Sequence, residues 1–203
     1  MSELFEITGK VVLITGGASG MGRMLAEGML RAGAKVYFTS RKAGECEAAA
    51  QEMSAIGPCV GISASLDTPE ALAELAGNFA AYENVLDVLI NNAGRTWGAS
   101  LESFPAKAWA PVMAVNVQAP FMLVQELLPL LQRAAAKSAA NPARIINIGS
   151  VGGKVVEPLK AYSYAASKAA IHHLSRVLAA DLAGHNITVN AVLPGYFPTK
   201  MTA

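Results

Sequence analysis

Apolar residues fall into short unbroken runs, separated by longer stretches in which they recur every three to four positions. The runs cover residues 11–15, 35–39, 59–64, 86–91, 144–148 and 187–193. They are rich in Val, Ile and Leu and do not alternate with polar residues, which predicts strands buried on both faces. The intervening stretches predict helices near 21–32, 43–55, 69–82, 107–135 and 162–183. Strand and helix in strict alternation predict a doubly wound α/β domain, a parallel sheet in three layers with right-handed crossovers.

Local punctuation agrees with these boundaries. Gly33 and Gly57 stand where helices should stop, and Thr68 before Pro69 reads as an N-cap followed by a first-turn proline. Ala170, Leu174, Val177, Leu178 and Leu182 form the expected buried stripe of the last helix. Pro111 and Pro120 predict a kink or a late start in the 107–135 helix. Residues 134–142 read as a helix end and loop.

Composition narrows the function classes. A chain of 203 residues suits one domain, and 53% hydrophobic against 15% charged residues favours extensive burial. Sixteen basic and fifteen acidic residues leave a net charge of +1, so there is no electrostatic case for binding nucleic acid. Cys46 and Cys59 have no metal-ligand spacing, and a lone pair of cysteines fits a reducing compartment, the cytoplasm. No basic region followed by an apolar one opens the chain, and no apolar run approaches 18 residues, so no membrane association is expected.

The first strand run leads into Thr15-Gly16-Gly17-Ala18-Ser19-Gly20-Met21-Gly22, and a helical pattern follows. Strand, glycine-rich turn and helix together predict a dinucleotide site of the Rossmann type. Gly16 would supply a positive φ, and Gly20 would let a pyrophosphate approach the N–H groups at the helix start. Gly22 would let the helix lie close on the strand. Gly22 is followed by Arg23 and Met24 rather than Lys and Ser or Thr, which excludes a nucleoside-triphosphate loop.

Tyr164 and Lys168 stand at i and i+4, on one helix face. An ammonium beside a phenol favours the phenolate, against an ordinary phenol pKa of about 10. Such a phenol can act as a general acid towards a carbonyl oxygen. Tyr162 has Ala166 in place of a lysine partner. Ser163 and Ser167 read as helix-surface hydroxyls. His172 and His173 are adjacent, so they diverge around the helix and make no metal pair. Trp97 and Trp109 could wall a cleft or pack in the core.

Taken in order, these motifs resemble the short-chain dehydrogenase/reductase family of the single-domain type. The cofactor turn, Asn91-Asn92-Ala93-Gly94, the series Asn116, Ser150, Tyr164 and Lys168, and Pro194-Gly195-Tyr196-Phe197-Pro198-Thr199 all fall where that family has them. The resemblance implies that Tyr164 protonates the substrate oxygen and that Lys168 supports it and holds the nicotinamide ribose. Ser150 would hydrogen-bond the oxygen, and Asn116 would hold a water that resupplies the proton. The cofactor would also meet Gly16, Ser19, Gly20, Met21, Gly22, Leu66, Asn92, Ala93, Gly94, Pro194, Gly195, Phe197 and Thr199.

Cofactor choice turns on the end of the second strand. Ser40 stands where an NAD site places a carboxylate, and Arg41 can grip a 2′-phosphate, which favours NADP(H). The aspartate often found after the third strand is replaced by Ser65, with Asp67 two residues on. Residues 91–105 and 141–153 resemble 3-oxoacyl reductases of the rhamnolipid-biosynthesis type, implying thioester substrates on carrier protein or coenzyme A and a homodimer or homotetramer. A sugar or polyol oxidoreductase is the enzyme alternative. The chain stops soon after the Pro-Gly segment, where family members continue into a lid and a seventh strand. This leaves a non-catalytic nucleotide-binding protein as the alternative of another class.

Overall fold

The computed structural model describes residues 6–197. Six strands form one sheet: β1 (Val11–Ile14), β2 (Lys35–Ser40), β3 (Cys59–Ser63), β4 (Val88–Asn91), β5 (Ala143–Ile148) and β6 (Ile187–Val192). Their order is β3-β2-β1-β4-β5-β6 and every pairing is parallel. The order reverses between β1 and β4, and the crevice at the strand tips there is where such sheets bind ligands.

Side-chain alternation along the strands explains the unbroken apolar runs. Leu13, Leu89 and Ile145 pack on one face of the sheet, beneath α3 (Pro69–Tyr82), α5 (Ala119–Ala135) and α6 (Tyr162–Leu182). Val12, Ile14, Val36, Phe38 and Ile90 pack on the other, beneath α1 (Gly20–Arg31) and α2 (Ala43–Ser54). Both faces are covered, so neither selects polar residues. Thr68 caps α3 by accepting from the Ala71 N–H at 3.3 Å, with Pro69 in the first turn. Gly33 ends the α1 connection at φ +87°, a conformation glycine adopts without strain.

The long helix near 107–135 is composite. A 3₁₀ turn (Ala106–Ala108) leads into α4 (Trp109–Met113), a π turn (Ala114–Gln118) and α5. Pro111 sits in the first turn of α4, and Pro120 at the start of α5, just past the π turn, as the two prolines required. Pro129 lies inside α5 without ending it, because tertiary packing of Leu127, Leu130 and Leu131 outweighs the lost backbone bond. Residues 106–135 are long and apolar enough to cross a membrane by length and composition, although no unbroken apolar run in the sequence is. Their apolar face is the core of this domain, packed with α3, the sheet and α6.

The buried stripe of α6 differs from expectation. Leu178 and Leu182 are buried, but Val177 is exposed and the face continues through Ser175, Ile171, Lys168, Ser167 and Ser163. Hydropathy alone points away from serines. Here Ser175 returns its proton to the Ile171 carbonyl at 2.7 Å, which allows a small polar residue inside.

Phe79 is wholly buried and meets Tyr37 edge-on, with ring centroids 5.1 Å apart. Phe79→Ala is expected to cost about 3–5 kcal/mol. Urea unfolding would measure this, and a change within error would mean that the α3 face contributes little to the core.

Candidate active site at the strand tips

The turn after β1 is shaped by its own chain. Gly16 and Gly20 hold φ +70° and +55°. The Gly16 N–H donates to Thr39 Oγ1 at 3.2 Å, and the Gly17 N–H donates to the Thr39 carbonyl at 3.0 Å. Thr15 Oγ1 accepts from the Asn92 and Ala93 N–H groups, both at 3.0 Å. The Asn92 side-chain amide donates to the carbonyls of Thr15 and Gly16. Asn92 therefore holds the turn through both its side-chain Nδ2 and its N–H. Thr15 and Thr39 were not foreseen as site residues. Their signal was weak: a threonine ending each of two neighbouring strand runs.

Gly22 serves a different contact from the one expected. A Cβ there would collide with the Gly16 carbonyl and the Asn92 amide, so the close approach is to the turn and not to the strand. At the start of α1, Ser19 is extended and makes no side-chain cap, and the first turn contains no acidic residue. The N–H groups of Gly20, Met21 and Gly22 thus have no partner within the helix.

Arg41 lies just past β2, exposed, and forms no ion pair among the described residues, whereas Lys42 beside it is paired with Glu45 at 2.9 Å. The Leu66 side chain packs in the core, so only its backbone can face a ligand. Asp67 accepts from Ser65 and lies 3.9 Å from Arg95.

The four residues of the expected catalytic series converge at the tips of β4 and β5. Lys168 is 5% exposed, and its Nζ donates to the Ile148 carbonyl at 2.7 Å and lies 5.5 Å from the Tyr164 ring centroid. Burial disfavours the charge and lowers its pKa to about 8. Tyr164 is half-buried one turn earlier. Gly94 keeps the intervening space open: a Cβ there would stand 3.8 Å from Lys168 Nζ and 3.7 Å from Asn116 Oδ1.

Asn116 sits in the π turn, and its side chain is fully engaged. Oδ1 accepts from the Arg95 N–H at 2.7 Å, while Nδ2 donates to the Arg95 carbonyl and to Ser167 Oγ, each at 2.9 Å. Any water it holds must therefore sit on its backbone. Four residues on, Pro120 has no N–H to offer the Asn116 carbonyl. Ser167 and Ser163, expected at the helix surface, are both fully buried. Ser167 also donates to the Tyr164 carbonyl at 2.7 Å, tying α6 to the π turn. Behind this layer, Asn91 donates to Asn147 Oδ1 at 2.8 Å and Asn147 donates to Ser175 Oγ at 2.9 Å. These buried amides join β4, β5 and α6, and hydropathy gave no hint of them.

Ser150 opens a 3₁₀ turn (Val151–Gly153), with Oγ accepting from the Gly152 N–H at 3.2 Å. This leaves the hydroxyl proton uncommitted to that bond. The Val151 N–H donates to the Pro194 carbonyl at 3.0 Å, joining this turn to the Pro194-Gly195 segment. Phe197 is the last described residue, and Thr199 lies outside the described residues. Trp97 and Trp109 are both partly exposed rather than in the core. Trp97 lines a cavity of about 260 Å³ with Arg95, Lys107, Ala108, Pro111 and Val112, while Trp109 stacks edge-on with Phe104.

Comparison with known proteins identifies the family. Residues 10–203 match the short chain dehydrogenase family. The chain is 47% identical to the rhamnolipids biosynthesis 3-oxoacyl-[acyl-carrier-protein] reductase of Pseudomonas aeruginosa, over all of this chain and 78% of that one. It is 34% identical to the 5-keto-D-gluconate 5-reductase of Escherichia coli, over all of this chain and 77% of that one. Among solved structures, the Pseudomonas aeruginosa RhlG/NADP active-site complex superposes with a TM-score of 0.95 at 47% identity, covering 100% of this chain and 78% of that one. A metagenomic short-chain oxidoreductase in complex with NADP gives 0.84 at 30% identity, covering 94% and 84%. The glycine turn locked by Asn92, the buried Lys168 beside Tyr164 and Ser150 at the tip of β5 thus stand in a chain that belongs to the short-chain dehydrogenase family.

Proposed function

We propose that this protein is an NADPH-dependent carbonyl reductase acting on 3-oxoacyl thioesters. The observation that carries the reading is the buried Lys168 ammonium beside the Tyr164 ring, at the strand tips next to an uncapped helix start. The 47% identity to a 3-oxoacyl-[acyl-carrier-protein] reductase supports the substrate class, and similarity to a 5-keto-D-gluconate reductase keeps a sugar ketone as the second candidate.

The residues present fit a dinucleotide. The N–H groups of Gly20, Met21 and Gly22 and the Ser19 hydroxyl would hold the pyrophosphate, and Arg41 would hold the 2′-phosphate, with no carboxylate at Ser40 to repel it. The backbone of Leu66, Asn92, Ala93 and Gly94 would flank the adenosine half. Pro194, Gly195, Phe197 and Thr199 would flank the nicotinamide, with Lys168 on its ribose. When bound, the reduced nicotinamide supplies the hydride.

The chain's own groups manage the charge that develops on the substrate oxygen. Tyr164 Oη donates a proton to that oxygen, and the Ser150 hydroxyl donates a hydrogen bond to it. The Lys168 ammonium stabilises negative charge on the phenol oxygen and can release a proton to replace the one lost. The Asn116 carbonyl would accept from a water that feeds this relay. The two unpaired cysteines fit a cytoplasmic enzyme. The family resemblance supports a homodimer or homotetramer.

Tyr164→Phe should lower turnover of an acetoacetyl thioester by about 10²–10⁴-fold, with NADPH binding intact. NADPH absorbance and fluorescence titration would follow the two quantities, and an unchanged rate would remove Tyr164 from the acid role. Arg41→Ala should weaken NADPH binding by about 10–100-fold, the worth of a charge-assisted contact, and leave NADH binding unchanged. Equal losses for both would contradict the 2′-phosphate assignment.

Lys168 titrates near 8 in the folded protein against about 10.4 in the unfolded chain. Between these values the unfolded state binds the extra proton, so raising pH through that window favours the fold. The cofactor-free Lys168→Met variant should exceed the wild type in urea midpoint at pH 7, and the gap should narrow by pH 10. A gap independent of pH would mean that the ammonium is not desolvated.

A further inference from the structure

The turn that carries Ser150 rests on a histidine that the reaction itself does not use. Successive N–H groups of the turn point to opposite sides. Gly149 donates to the Val192 carbonyl at 2.7 Å and Val151 to the Pro194 carbonyl at 3.0 Å, both on the β6 side. The N–H between them, that of Ser150, faces α6 and donates to His172 Nε2 at 3.3 Å. An imidazole nitrogen accepts only when it carries no proton, so this bond selects neutral His172 with its proton on Nδ1.

Steric fit points the same way. A Cβ on Gly149 would collide with His172 Nε2. A Cβ on Gly153 would stand 2.7 Å from His172 Cε1 and 2.5 Å from the Lys168 carbonyl carbon. Glycine at both ends of the turn therefore lets it close over the imidazole and the α6 backbone. His172 follows Lys168 by one helical turn, so a single face of α6 carries Tyr164, Lys168 and this anchor.

We propose that His172 is a positioning residue for Ser150: its neutral imidazole pins the 149–153 turn to α6, and proton uptake at Nε2 releases the turn and takes the Ser150 hydroxyl out of register with Tyr164. The proposal rests on the reductase reading only in giving Ser150 a substrate oxygen to meet. A proton on Nε2 would replace an acceptor with a donor facing another donor, leaving the partly buried Ser150 N–H without a partner.

The surroundings oppose that proton. Partial burial holds His172 below its ordinary value, and the cations Lys168 one turn before and Arg176 one turn after add to it. On the turn, the charged residues are Lys154, which is exposed, and Glu157, whose carboxylate lies over Gly152. The β6 side presents the Val192 carbonyl next to Gly149. The anchor is therefore formed at neutral pH and lost only in acid. Since the unfolded histidine takes up its proton first as pH falls, the folded state also loses stability in that range.

The test uses the full chain and two variants. Gln at 172 offers an amide oxygen at the same reach and does not titrate, whereas Leu fills similar space with no acceptor. In the wild type, kcat for acetoacetyl-thioester reduction should fall in acid with a single ionisation below pH 6.5. His172→Gln should keep at least a third of the neutral-pH kcat and lose that acid limb. His172→Leu should lose tenfold or more in kcat at every pH, with the NADPH dissociation constant within twofold of wild type. An unchanged kcat in His172→Leu, or an acid limb kept in His172→Gln, would overturn the proposal.

A substrate-independent arm separates this proposal from the reductase reading. In cofactor-free protein the Ser150 amide resonance should shift with the same midpoint as the His172 imidazole, and the shift should vanish in His172→Gln. A Ser150 amide that ignores the His172 titration would sink the anchor whatever the enzyme does. A coupled titration in a protein that reduces no ketone would uphold the anchor and defeat the reductase reading instead.

Discussion

A single ammonium held out of water sets the terms for the site. Lys168 is buried at the tip of β5, with the Ile148 carbonyl as its hydrogen-bond acceptor. Removing such a charge from solvent works against the fold, and its lowered pKa is the direct trace of that cost. The core must supply the compensation, and it does so with apolar side chains on both faces of the sheet. The result is an amine that gives up its proton near pH 8 and sits beside a phenol on the preceding turn of the same helix. Proton transfer to a substrate needs a group of that kind.

Around it, polar side chains with the look of ligand contacts are spent on architecture. Asn92 clasps the glycine turn, and Asn116 clasps the Arg95 backbone and Ser167. Thr15 and Thr39 tie β4 and β2 to the same turn. Each bond fixes a backbone segment at the strand tips, and main-chain geometry is only as exact as the side chains behind it. The buried amide series Asn91, Asn147 and Ser175 extends this scaffold down between the strands and α6. The π turn at residues 114–118 belongs to the same scheme, since it places Asn116 where a regular helix would not.

This chain is similar both to a reductase of 3-oxoacyl thioesters and to a reductase of a keto sugar acid, so the sheet shared by the family does not by itself set the substrate. Trp97, Phe104, Tyr162 and Trp109 stand on loops and helix starts beside the tips, with Phe104 and Tyr162 stacked edge-on at 5.4 Å. Loops held by a rigid sheet are where specificity is set.

The sequence by itself determined the class of fold, the order of its elements and the pairing of a phenol with an amine on one helix. Unbroken apolar runs can be satisfied only between two helical layers, and a phenol and an amine at i and i+4 must share a helix face in any packing. It also marked the prolines that disturb the long helix, because the missing N–H is a local fact. What it left open were properties that arise only when distant segments meet. Ser163 and Ser167 read as surface hydroxyls until α6 was packed against the π turn, and Val177 read as core until that same packing turned it outward. Gly22 needed the Gly16 carbonyl beside it to reveal which neighbour excludes a side chain. His172 looked idle until tertiary structure laid the Ser150 turn across it. Composition and spacing report what each residue offers; partners, burial and a shifted pKa depend on which other residues come within a few ångströms, and only the folded chain decides that.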